Sequence, residues 1–93
     1  MANYIVSYDL NGSKPTHAEM DKHMDTAGWS RARILETVWW VGTSQTRKQV
    51  FDHVKAILSK NDQVIVVLAR AANWRNLLVP DDDLLAAWTA NAS

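Results

Sequence analysis

The sequence predicts a small α+β fold, in the order strand, helix, strand, strand, helix, strand and a short closing helix. Three observations predict it. Residues 3–10 alternate at the two-residue period of a strand, with Tyr4, Val6, Tyr8 and Leu10 on one side and Ile5, Ser7 and Asp9 on the other. Two stretches that open on threonine, at Thr16 and Thr46, carry apolar residues at helical spacing. Residues 63–70 are a nearly continuous apolar run, Val-Ile-Val-Val-Leu-Ala.

Each element has a local reason. Asn11-Gly12-Ser13-Lys14-Pro15 is a loop by composition. Thr16 with Glu19 three residues later forms a capping box, Met20, Met24 and Ala27 give the helix its apolar stripe, and Gly28 supplies a left-handed stop. Residues 29–43 are rich in aromatic and β-branched side chains. Fifteen residues is long for one strand, so the stretch reads as two strands meeting near Glu36-Thr37. The helix from Thr46 has Val50, Phe51, Val54, Ile57 and Leu58 as its apolar stripe and ends at Asn61-Asp62. The apolar run 63–70 is expected to lie in the middle of a sheet, buried on both faces. Residues 71–80 are a connector carrying Trp74, and 81–90 a terminal helix with its acids in the first turn, where the helix dipole favours them. This order is the split β-α-β of a ferredoxin-like sandwich, with both main helices on one face of an antiparallel sheet. The other face is then expected to be open, and to be the place for function or dimerisation.

The chain of 93 residues allows one domain, spanning 1–93 with 81–93 as its acidic terminal segment. At 47% hydrophobic and 22% charged it has an ordinary globular composition, not that of a disordered tail, a collagen or a coiled coil. The longest uncharged apolar run, 64–69, is far below the ~20 residues that span a bilayer, and no secretory signal is read at the start. With no cysteine there is neither a disulfide framework nor a thiolate site, and a cytoplasmic location is expected. The zero net charge hides an asymmetry: residues 81–93 carry three acids and no base, whereas the first 80 carry ten bases and seven acids. Tight nucleic-acid binding normally needs a clearly basic surface, so the charge supports it weakly.

Among single residues, Asp9 ends a strand and precedes a Gly-containing loop, a common place for functional carboxylates. One carboxylate is a poor metal site, although Mg²⁺ often takes only one or two, and two copies of Asp9 about a two-fold axis would share an ion. The competing reading is a local cap of the turn. His17, His23 and His53 have no zinc-ligand spacing and read as helix-start or solvated residues. Arg31 and Arg33 share one face of a strand, where two guanidiniums would grip phosphate or simply be solvated. Trp39 and Trp40 are consecutive, so one enters the core and the other faces the open side of the sheet as an interface residue. A homodimer is expected, with a second protein as another partner.

The opening Tyr4-Ile5-Val6-Ser7-Tyr8-Asp9-Leu10 resembles the first strand of the small CRISPR-associated Cas-two-type proteins and of VapD-type ribonucleases. Thr37-Val38-Trp39 occupies the place of their Ser-Val-Phe segment. The second helix, Asp62 and the strand 64–68 follow in matching order. A bacterial group labelled SinR-like is closer, through the Tyr-Asp-Leu opening, the Thr-x-Trp strand, Asn61-Asp62 and Ala72-x-Trp74. The resemblance implies a ferredoxin-like dimer and a Mg²⁺-dependent phosphodiesterase with Asp9 of each subunit at the metal. Two functions are therefore carried forward. One is a non-catalytic dimeric interaction module, and the other a Mg²⁺-dependent endonuclease acting on RNA or DNA.

Overall fold

A computed structural model describes residues 1–91; the last two residues of the acidic terminal segment lie outside the described residues. The elements are β1 (Ala2–Asp9), α1 (His17–Asp25), β2 (Ser30–Leu35), β3 (Val38–Thr43), α2 (Arg47–Lys55), β4 (Gln63–Ala69) and α3 (Asp81–Asn91). The four strands form one antiparallel sheet in the order β2-β3-β1-β4.

Local chemistry accounts for the boundaries. Thr16 accepts from the Glu19 amide while the Glu19 carboxylate accepts from the Thr16 amide, closing the expected capping box. Thr46 and Gln49 repeat the device at α2. Gly28 has φ +74°, the left-handed conformation a side chain resists. The turn between β2 and β3 falls at Glu36-Thr37, as the strand lengths require. Helix α2 is shorter than the periodicity suggests: it ends at Lys55, and Ile57 and Leu58 reach the core from the following turns.

The face carrying α1 and α2 holds the larger core. Tyr4, Val6, Tyr8, Trp39 and Val41 from the sheet meet Met20, Met24, Val50 and Val54 from the helices. The opposite face is not open, which corrects the expectation. The connector 70–80 leaves β4 and crosses this face, burying parts of Trp74, Leu77 and Val79, and α3 then lies against Ile34 and Trp40 through Leu84 and Trp88. Close approach depends on Gly42 of β3: a Cβ there would lie 2.7 Å from the Asn91 side chain and from the Trp40 ring.

A second correction concerns β4. The apolar run is an edge strand, not a central one, and its residues alternate between exposed and half-buried from Gln63 to Val67, with Leu68 exposed as well. Val64 and Val66 turn to the helical core, while Ile65 is 60% exposed, Val67 43% and Leu68 42%.

Candidate functional site

Asp9 is exposed at the end of β1, opposite Gln63 of β4. The turn-capping role falls to a different carboxylate. Asp62 accepts from the Asn11 amide at 2.6 Å and from the Ser59 amide at 2.7 Å, and the Asn11 side chain donates to the Asn61 carbonyl at 2.9 Å. These bonds, the Asn11 amide first, hold the Asp62 carboxyl below its ordinary range. Asp62 therefore clasps the loop after β1 to the turn before β4 and leaves Asp9 facing water beside it. Among the described residues no three of His, Asp and Glu gather around a common point.

Arg31 and Arg33 lie on one face of β2, as their spacing implies, and that face looks onto α1. Arg31 Nε stands 2.7 Å from Asp25 and Arg33 3.8 Å from Asp21. Two residues along a strand and four along a helix cover nearly the same distance, so the arginine and aspartate pairs match rung by rung. Both guanidiniums thus face carboxylates rather than an open phosphate site. Behind them, burial pushes the Tyr8 phenol above its ordinary value, against the pull of the Trp39 indole bonded to its oxygen at 3.2 Å.

Trp39 and Trp40 face opposite sides of β3, as consecutive strand residues must, but neither reaches the surface of this chain. Trp39 is 6% exposed in the helical core and Trp40 2% exposed beneath α3. The Trp40 indole donates to Asn3 Oδ1 at 2.8 Å, and Asn3 Nδ2 donates to the Trp88 carbonyl at 3.1 Å. Trp40 and Trp88, joined through Asn3, fasten the terminal segment to the sheet.

His23 and His53 are not on solvated faces either. Their rings stack with centroids 4.1 Å apart, and each Nε2 lies within hydrogen-bond distance of the other's backbone carbonyl, at 2.5 and 2.9 Å. Both bonds require Nε2–H donors, a tautomer assigned from the partners. The pair ties the last turn of α1 to that of α2, with the edge of Trp29 against His53. His17 is exposed at the start of α1.

With the arginines, the two tryptophans and the His23–His53 pair engaged within the fold, the feature that stands out beside the exposed Asp9 is the contrast between the two edges of the sheet. Edge β2 carries two charged side chains, a register shift between Arg33 and Leu35, and a backbone cover, since the Leu78 amide donates to the Ile34 carbonyl at 2.9 Å. Each is a known way of blocking strand addition. Edge β4 has no charged residue, no proline and no bulge along Gln63–Ala69. Its unpaired backbone groups can be assigned. The Tyr8 amide donates to Thr37 on the β3 side, so Tyr4, Val6 and Tyr8 turn their backbone groups to β3, and Asn3, Ile5, Ser7 and Asp9 turn theirs to β4. The β4 residues opposite that second set are Ala69, Val67, Ile65 and Gln63. Val64, Val66 and Leu68 are left directing amide and carbonyl outward. Beside them a groove of about 340 Å³ is lined by Arg47, Lys48, Phe51 and Val66. No feature of the sequence alone marked this edge, because the same apolar run fits a central strand.

No family model, no curated protein and no solved structure matches this chain.

Proposed function

We propose that this chain is a non-catalytic, homodimeric protein-interaction module of ferredoxin-like architecture, working in the cytoplasm. The observation that carries it is the undefended edge β4, seven uncharged residues with three large apolar side chains in water. Soluble proteins normally protect such an edge, and a bare one is a template for another strand. The ferredoxin-like assignment draws on the strand order β2-β3-β1-β4 and on α1 and α2 sharing one face. No helix among the described residues is long and apolar enough to cross a membrane.

The test is solution mass by light scattering across concentration, with Asp9→Ala in parallel. The interaction reading expects a mass near twice that of the chain, unchanged by Asp9→Ala and by Mg²⁺ or Mn²⁺.

The second reading, a Mg²⁺-dependent endonuclease related to the Cas-two and VapD types, keeps one specific support: Asp9 is a water-facing carboxylate at a strand end. It expects cleavage of RNA or DNA in Mg²⁺ or Mn²⁺, lost in Asp9→Ala while the fold persists. The pairing of Arg31 with Asp25 and of Arg33 with Asp21 counts against this reading.

A further inference from the structure

We infer that β4 pairs antiparallel with β4 of a second copy, with Val66 on the two-fold axis, so that two sheets join into one. The inference rests on the interaction-module reading and gives it a surface and a register.

The register follows from which backbone groups are free. Val64, Val66 and Leu68 direct amide and carbonyl outward. Only with Val66 opposite Val66 does every one of them find a mate: Val66 exchanges both bonds with its own copy, and Val64 exchanges with Leu68 on each side of the axis. A shift of two residues either way leaves one outward residue of each strand beyond this set. An isologous contact of this kind closes on itself and stops at two copies.

Side chains agree with that register on both faces. Ile65 of one copy stands opposite Val67 of the other, twice, which covers the two exposed side chains of that face with each other. On the helical face, the exposed Leu68 meets Val64 of the second copy near the Phe51 groove. Charge agrees as well. Beyond the strand ends, Asp62 of one copy comes opposite Arg70 of the other, again twice, while no like charges face each other along the strand. A slip of one residue would turn every apolar side chain to the wrong face.

The arrangement also bears on Asp9. Asp9 lies one strand in from the edge and three residues from the axis, opposite Gln63. Its copy in the dimer is then about 25 Å away, from strand spacings of ~4.8 Å and a rise of ~3.4 Å per residue. Two carboxylates that far apart share no ion. The edge-paired dimer and the metal-sharing dimer are mutually exclusive assemblies.

The experiment uses the full chain, whose lack of cysteine gives a clean background. Ile65 and Val67 form a non-hydrogen-bonded pair in the inferred ladder, with Cα atoms ~4.5 Å apart, close enough for a disulfide. Ile65→Cys and Val67→Cys proteins are mixed, oxidised and compared with each alone. The expected result is rapid crosslinking in the mixture and at least tenfold slower crosslinking in either single variant. In parallel, Ile65→Lys is expected to raise the dimer dissociation constant at least tenfold. Its far-UV spectrum should stay that of the wild type, because the Ile65 side chain already faces water. Arg70→Glu is expected to weaken the dimer a few-fold, with the difference vanishing at high salt. A wild-type dimer that survives Ile65→Lys and does not crosslink in the mixture overturns this interface and leaves the module reading standing on another surface. A wild type that stays monomeric at millimolar concentration overturns both.

Discussion

The two edges of the sheet are built on opposite plans. Edge β2 carries Arg31 and Arg33, changes register after Arg33, and is covered by the Leu78 amide bonded to Ile34. Edge β4 carries none of these and exposes Ile65, Val67 and Leu68. The same chain thus protects one template for strand addition and leaves the other bare, which argues that the bare one is kept for use rather than overlooked. The connector makes the contrast sharper. It starts at the unprotected edge, crosses the second face and delivers its backbone bond to the protected one.

The largest effect on this contrast should come from loosening that crossing segment. Trp88→Ala removes the indole that lies 8% exposed between α3, Trp40 and Trp74, and truncations of this kind cost about 3–5 kcal/mol. Thermal unfolding should begin roughly 10 °C lower or more. With the cover over β2 weakened, light scattering should show species larger than two copies, because both edges can then recruit strands. Should the variant stay strictly dimeric while α3 is detached, the cover is not what protects β2.

A smaller loss is expected from Asn3→Ala, which leaves the Trp40 indole and the Trp88 carbonyl without their buried partner, at about 1–3 kcal/mol. Hydrogen exchange should show α3 amides opening before those of β1, the order expected if Asn3 holds the segment rather than the sheet. Smaller again is the double change Arg31→Thr with Arg33→Thr. Both pairs are partly exposed, so stability should move by no more than about 1 kcal/mol. Self-association should nonetheless rise if the two charges act as guards of the edge. The smallest effect is that of acid on the Asp62 clasp. Its carboxyl titrates below its unfolded value, so its contribution is whole above the ordinary aspartate range and is lost as pH falls through the depressed one. The protection factors of the Asn11 and Ser59 amides should fall in that window, and Asp62→Asn should remove that fall.

Much of the fold was legible because it rests on short-range rules. The Thr16–Glu19 box, the left-handed Gly28 and the break at Glu36-Thr37 are each decided by a few neighbouring residues. What failed to show was long-range. A continuous apolar strand reads as central when its neighbours are unknown, yet β4 is an edge, and the surplus of apolar side chains that misled the reading is the feature that now points to a partner. One of Trp39 and Trp40 was expected on an open face, because no local rule says that α3 folds back over that side of the sheet. Likewise, the stacking of His23 on His53 joins positions 30 apart, and only the packing of two helix ends brings them together.

The crossing segment also sets a schedule for synthesis. Every strand is complete once Ala69 has been made, but the residues that cover β2, from Trp74 to Asn91, come afterwards. Any form of the chain in which the sheet closes before that segment docks leaves the Trp40 ring uncovered and the β2 edge without its backbone cover. Docking of α3 is therefore the last step in reducing two sites for an added strand to one.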